Sequence, residues 1–520
     1  MMGQYHNSSF VVYDTQPLGH WSLWALTYSI LAVIPFTLFY LLQASGGSKL
    51  PTLNSKRAFE FFDKRVKRNF RVNGRQLLRE GLEKFNGQPF RILTDHGPTI
   101  ILPPSYAQEI RNLGDLNHVK AIAKFVHPEY PGFEAFHEFA YGDDIIQDVV
   151  RSKVTQCLGT ITKPLSEETA MTLRDCFTDD EKWHPISLHE TVLHAVARVS
   201  SRLFLGDRLC RDPEWLHITT TYTHHIAKAI LELNTWPALL RPLVHRFLRR
   251  NRELIHQVQE AHRVMGKVLD ERRALKAAGQ SPEYIDAIEW FEQVAKGRKY
   301  DPVHVQLTLS FVAIHTTADM ITQLMFDLAQ NPEYIQPLRE EVIDVLGKLG
   351  WKKTSLYNLK LLDSVLKESQ RLRPINDTSL QRLALRDVKL SDGTVLPRGS
   401  ISAVASTRHW DSHYYPDPHK FDGYRFLKMR TDGGKENVAQ FVSTSPDHLG
   451  FGHGQHACPG RFFASNEIKI IMCHILLKYD WRLIKGQDPK AMVHGFILAA
   501  DHTTKLEIQR RREELDIDSL

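Results

Sequence analysis

Cysteine is scarce in this chain: five in 520 residues, at positions 157, 176, 210, 458 and 473. An odd number at irregular spacings does not make a disulfide framework and points to a reducing compartment. No Gly/Ser- or Pro-rich linker divides the sequence. One large domain is therefore expected where length alone would allow about three. An excess of one charge is also lacking. The formal balance is +6 and spread along the chain, which predicts neither nucleic-acid nor polyanion binding. No Gly-rich fingerprint for nicotinamide or flavin dinucleotides occurs, so no dinucleotide-binding module is expected within the chain. Internal repeats are absent too.

One stretch lacks charge altogether. Residues 21–42, WSLWALTYSILAVIPFTLFYLL, carry no Asp, Glu, Lys or Arg. A helix needs about 20 apolar residues to cross a bilayer, and the aromatics here stand towards both ends, where interfacial side chains belong. Only Asp14 precedes the stretch among formal charges, whereas Lys49, Lys56 and Arg57 follow it. The positive-inside rule then puts residues 1–20 in a lumen, 21–42 across the membrane as an anchor, and 43–520 in the cytoplasm. A cleaved signal peptide would have a shorter apolar core behind a basic residue. Asn7-Ser8-Ser9 is an acceptor tripeptide for N-glycosylation and would be lumenal in this orientation.

Beyond the anchor, FRILTDHGPTIILPP (90–104) alternates around His96-Gly97-Pro98 and reads as a two-stranded hairpin. SYAQEIRNL is expected to start a helix capped by Ser105. From about 143 to 345 the apolar residues recur at helical spacing. Asp301-Pro302 opens a long apolar helix, with Asp as cap and Pro in the first turn. A further helix, LKLLDSVLKESQRL, runs up to Arg373-Pro374. Strand alternation follows, with a turn at Asp392-Gly393. A last apolar helix is expected over about 460–478, then strands ending near Ile508. The charged tail RRREELDIDSL is expected to fray. The fold class is mainly α with a small β-rich side.

The strongest chemical signal is FGHGQHACPG, residues 451–460. Cys458 lies just before a helix, where the positive helix end and free N–H groups favour thiolate over thiol. Glycines beside it let backbone approach a flat group closely. Two rival readings exist. Cys458 alone could be a core cysteine, and His448, His453, His456 and Cys458 could gather on zinc. Those spacings match no usual zinc pattern and lack a paired Cys-x-x-Cys. Two further motifs stand upstream. Glu368 and Arg371 share a helix face and can pair, and Ile314-His315-Thr316-Thr317 lies in the middle of the long helix.

In this order, the motifs resemble those of the cytochrome P450 monooxygenases, and the resemblance covers roughly residues 50–510. It implies the cytochrome P450 fold behind the anchor, with heme b bound through a Cys458 thiolate. It implies cofactor contacts from Phe451, Gly452, Gly454 and Gly460, and a heme propionate contact from His456. Arg382 falls where family members often place a second propionate contact, though a structural arginine fits equally. Glu368 and Arg371 are implied to pair with Arg425, in FDGYRF (421–426), as a structural trio holding the cysteine loop. Thr316 matches the family threonine that helps deliver protons at the oxygen site. The sequence departs from the pattern beside it. His315 stands where an acid is usual, and it either relays protons or merely packs. The usual Trp-x-x-x-Arg is missing, VVRSKVTQCL (149–158) takes its place, and Arg151 or Lys153 is the candidate basic residue.

What the resemblance implies for function is insertion of one oxygen atom from O2 into a lipophilic substrate: hydroxylation, epoxidation or desaturation. Electrons would come from NADPH through a separate cytochrome P450 reductase, with cytochrome b5 as a second donor, at the endoplasmic reticulum membrane. Phe311, Val312 and Ala313 are expected to line the apolar pocket. FVSTSPDHLGFGHGQHACPGRFFA, IHTTAD and FDGYRF are similar to fungal members that oxidise terpenoids, meroterpenoids or indole-diterpenoids in secondary metabolism. Fatty acids, sterols and alkaloids stay open as substrates. So does a peroxide-rearranging relative that needs no reductase, although Thr316 argues against it, and so does a heme carrier without turnover.

Overall fold

A computed structural model describes residues 50–520 apart from 58, 59, 61, 281 and 282. The apolar stretch 21–42 and Asn7 lie outside the described residues. Among the described residues no helix is long and apolar enough to cross a membrane.

The principal helices are α1 (Lys64–Lys84), α2 (His118–Val126), α3 (Leu158–Phe177), α4 (Leu188–Leu205), α5 (Pro213–Leu233), α6 (Arg249–Ala277), α7 (Ala287–Ala295), α8 (Pro302–Gln330), α9 (Ile335–Leu349), α10 (Lys360–Leu372), α11 (Arg425–Thr431) and α12 (Arg461–Lys478). The central one is α8. Its start is fixed as its sequence implies: Asp301 accepts from the backbone N–H of Val303 at 2.8 Å and His304 at 3.1 Å, and Pro302 needs no partner there. Leu309, Ile314, Ala318, Ile321, Leu324 and Phe326 are all buried along it, because α8 is packed by α4, α5, α10 and α12 on different sides.

The β-rich side holds strands β1 (Phe90–Thr94), β2 (Gly97–Leu102), β3 (Leu116–Asn117), β4 (His184–Ile186), β5 (Thr378–Ala384), β6 (Val388–Lys389), β7 (Val395–Leu396), β8 (Ile401–Ala405), β9 (Tyr479–Leu483), β10 (Met492–His494), β11 (Ile497–Ala499) and β12 (Leu506–Arg510). Five of them form one sheet in the order β1-β2-β8-β5-β3. The 90–104 hairpin pairs Phe90 with Ile101 through Thr94 with Gly97. Gly97 sits at φ +107°, which an L side chain resists. The Asp392-Gly393 turn joins β6 to β7 in register.

Two expectations are corrected and a third is refined. Ser105 does not cap a helix: it lies inside a 3-10 turn, Pro104–Tyr106, and makes no capping bond. The run from 143 is almost wholly helical, as expected, with Val150–Val154 wound as a π-helix and the short strand β4 set within it. The C-terminal tail is not frayed. Ile517 is fully buried, its carbonyl accepts from Trp351 Nε1 at 2.8 Å, and Asp518 pairs with Lys478 at 2.5 Å. The apolar residues Leu515, Ile517 and Leu520 override the charge around them by packing on the main core.

Candidate active site

Residues 451–460 leave the β-rich side and enter α12 through a short hairpin-like loop. The Cys458 N–H donates to the Phe451 carbonyl at 2.9 Å, which closes the loop on itself. Phe451 anchors it edge-on against Phe441, with ring centroids 5.1 Å apart. Gly454 sits at φ +77°, and a Cβ there would fall 2.6 Å from the Arg111 Cβ. Only glycine fits. Gly452 is left-handed as well, whereas Gly460 is not, and a Cβ at Gly460 would meet nothing within 4 Å. The loop therefore has one packed side and one open side.

Cys458 lines that open side. Its side chain is accessible, yet it lies deep among protein atoms. Burial pushes the thiol up; the N–H groups of Gly460 and Arg461 and the Arg461 charge pull it back. The helix end thus favours thiolate, as its position implies, against the cost of burial. Coordination to a metal ion would supply the missing positive charge.

Around the loop the structure gathers basic groups. Arg382, on β5, is buried, and its Nε has no hydrogen-bond partner. Among the described residues no carboxylate stands within ion-pair distance of it, and burial pushes its guanidinium down to about 10. An unpaired buried guanidinium is costly. His118, the first residue of α2, sets its Nδ1 3.0 Å from the Gln381 carbonyl and its ring 5.9 Å from that of His456. Burial, then the charges of Arg382 and His118, push His456 down to about 4. Arg151 donates to the Gln455 carbonyl at 3.2 Å, whereas Lys153 turns away to Gln293 at 2.8 Å. Arg382, His118 and Arg151 thus gather around His456, two residues before Cys458, and Arg461 stands beside the thiol itself. A flat cofactor carrying two carboxylates and a metal that takes a thiolate fits this donor set. The sequence offered no local signal for His118: a histidine at a helix start is common, and only the fold brings it to residue 456.

The proposed trio does assemble. Arg371 donates to both Glu368 oxygens at 2.8 Å, and Arg425 Nε stands 3.1 Å from both. All three are buried. The arginines then spend their other N–H groups on carbonyls, Arg371 on Pro418 at 2.7 Å and Arg425 on Pro416 at 2.6 Å. The trio thereby ties α10 to the segment that precedes the cysteine loop. A second buried knot, unforeseen from the sequence, ties α10 to α8: Asp327 accepts from Ser369 at 2.6 Å, Gln323 at 2.8 Å and Arg373 at 3.0 Å.

Thr316 faces the same cavity as Met320, Phe441, Phe451, Ala464 and Ile468. Its hydroxyl donates back to the Val312 carbonyl at 2.9 Å. Val312 is 46 % exposed, and Phe311 packs edge-on against Phe136 at 4.8 Å. His315 points elsewhere, towards Thr219 on α5, and burial pushes it down to about 4. The four zinc candidates separate. His448 packs against His409 and Phe426, and His453 bonds Gln108 and Arg111. A hollow of about 840 Å³ lies away from Cys458, walled by Arg57, Arg65, Glu80 and Glu83. Nothing in its charged lining resembles a site for this chemistry.

Comparison with known proteins agrees with this geometry. The family model described as Cytochrome P450 matches residues 150–508. Cytochrome P450 monooxygenase 1 of Gibberella fujikuroi is 49% identical over 83% of this chain and 99% of its own length. Cytochrome P450 monooxygenase adrA of Penicillium rubens is 45% identical over 92% of this chain and 95% of its own length. For hepE of Aspergillus oryzae the figures are 47%, 94% and 90%. Among solved structures, the retinoic acid-bound cyanobacterial CYP120A1 shares the fold, with a TM-score of 0.64 at 18% identity, covering 89% of this chain and all of that one.

Proposed function

The chain belongs to the cytochrome P450 family and is a monooxygenase, and from that premise we propose that it oxidises a terpenoid, meroterpenoid or indole-diterpenoid in fungal secondary metabolism. The observation that carries the chemistry is Cys458 at the head of α12, faced by an anion cradle centred on Arg382. Heme bound there through a thiolate supplies the activation of dioxygen. Cys458 Sγ would hold the iron, while Arg382, His456, His118 and Arg151 would take the two carboxylates. The Thr316 hydroxyl, on the cavity wall, hands on a proton by releasing its bond to the Val312 carbonyl. Glu368, Arg371 and Arg425 touch no substrate and hold the loop in place.

The substrate class is supported by the wording of residues 442–465, IHTTAD and FDGYRF, and by kinship to fungal monooxygenases. Membrane attachment through residues 21–42, with the N-terminus lumenal and the enzyme on the cytoplasmic face of the endoplasmic reticulum, belongs to the same proposal. It is supported by an exposed apolar group in the described part, Trp236, Leu239, Leu240, Leu243 and Phe247, interleaved with Arg241, Arg246 and Arg249. Such a basic, apolar surface suits a lipid interface. NADPH–cytochrome P450 reductase, with cytochrome b5, completes the electron supply.

The test is a spectral titration of the microsomal enzyme with terpenoids, sterols and fatty acids in turn. A shift of the iron from low to high spin with a terpenoid, and turnover that requires reductase, is the expected result. A shift with fatty acids alone overturns the substrate class. Turnover indifferent to reductase would favour the peroxide-rearranging reading.

A further inference from the structure

Beside the cavity wall of α8 that carries Thr316, three elements distant in sequence present metal-ligating groups to one another. His189 is the second residue of α4. Asp319 stands in α8, one turn beyond Thr316. His502 lies in the loop between β11 and β12. Their ligand atoms all lie within 4.8 Å of one another. The two imidazoles stack almost parallel, with centroids 3.5 Å apart and 11° between planes, and His502 Nε2 is 3.6 Å from Asp319 Oδ1.

Two of the three groups are held by hydrogen bonds to their surroundings. His189 Nδ1 stands 3.4 Å from the Thr322 hydroxyl, which leaves Nε2 facing inward. Asp319 Oδ1 receives the Ala500 N–H at 2.8 Å. Outer hydrogen bonds of this kind fix the tautomer and direction of metal ligands. A fourth group is near. His315 precedes Asp319 by one helical turn on the same face, and its Nε2 is buried without a partner. Two imidazoles in face-to-face contact resist being charged together.

We propose that His189, Asp319 and His502 form a binding site for one divalent cation of the zinc class, separate from the heme. Two nitrogens and one carboxylate suit zinc, whose bonds of about 2.0–2.2 Å set tetrahedral ligand atoms about 3.4 Å apart. Stacked as they are, the two rings point their in-plane lone pairs side by side, so binding requires the exposed His502 ring to swing out of the stack and turn its nitrogen towards the ion. His502 is 38 % exposed and gives the ion its way in. The fourth position takes water or His315. The ion would clamp the loop after β11, whose Ile497 bridges to Asn376 beside β5, onto α8 next to Thr316. It holds the cavity wall and takes no part in electron transfer.

The measurement is zinc bound per chain in the heme-loaded full-length protein, stripped of loose metal and equilibrated with zinc ion alone. His262→Ala serves as the reference background, because His262, Asp301 and His304 form a second, more exposed group that would also take zinc. One zinc per chain is expected there, with a rise in melting temperature. Adding His502→Ala, an exposed change that leaves the heme spectrum intact, should weaken binding about tenfold or more and abolish the rise; His189→Phe should do the same. Zinc absent from the His262→Ala protein, or held equally after His502→Ala, overturns the site. Either result leaves the heme reading untouched, since heme content is read separately.

Discussion

Arg382 and Glu467 show how burial sets the behaviour of single residues. Arg382 is a buried cation without an acid, so its positive charge destabilises the chain alone and attracts an anionic cofactor. Arg382→Met is expected to raise the stability of the heme-free chain while speeding heme loss about tenfold, as the loss of a hydrogen bond to a charged group implies. Denaturant melts of the heme-free protein and heme transfer to an acceptor globin read the two effects. Glu467, on α12, is fully buried with one donor, the Ser200 hydroxyl at 2.6 Å, and burial pushes its carboxyl up to about 8. Unfolded, it titrates near 4.5. Between those values the folded chain holds a proton that the unfolded chain has lost. The contribution to stability is therefore full below about pH 4.5 and is lost as pH rises to about 8. Glu467→Gln should flatten the pH dependence of stability over that window, most visibly as a higher melting temperature at pH 8.

At the scale of elements, the joints matter more than the helices. Glu368 is shared by two arginines, all three out of water, so Glu368→Ala strands two buried cations. The expected cost is about 3–5 kcal/mol or more, seen as poor heme loading and a lower denaturation midpoint, with Arg371→Lys milder because one pairing survives. The start of α8 depends on Asp301. Asp301→Ala should cost about 1 kcal/mol, the usual worth of an N-cap. That loss should appear in denaturant melts and leave the heme spectrum unchanged, since the cap lies four turns from Thr316. The π-helical Val150–Val154 sends Arg151 to the cysteine loop and Lys153 to α7. Sequence spacing offered both as basic contacts; the local winding chooses between them.

For the molecule as a whole, the last residues are part of the core. Ile517 is buried against α12 and the Trp351 side chain, and the Leu520 carbonyl accepts from Lys163 at 3.1 Å. Ile517→Ala is expected to cost about 2–5 kcal/mol, as a cavity in a packed core does. Differential scanning calorimetry reads it, and a frayed tail would show no change. The tail reads as solvated because charge dominates its composition; three apolar residues in the right places decide otherwise.

The sequence by itself determined what depends on neighbours in the chain. The mainly α class follows from apolar periodicity, the bounds of α8 from an Asp-Pro start, and the 90–104 hairpin from alternation about a glycine. The cysteine loop needs left-handed glycines at fixed offsets from Cys458, so it is legible as a string. Tertiary structure decided what depends on distance across the fold. It brought His118 to His456 and left Arg382 without an acid. It turned His315 away from the cavity, joined Asp327 to Arg373, and set His189, Asp319 and His502 face to face. These residues are separated by tens to hundreds of positions, and nothing local marks them. The energy that places them is burial of surfaces contributed by other elements, which no single segment carries.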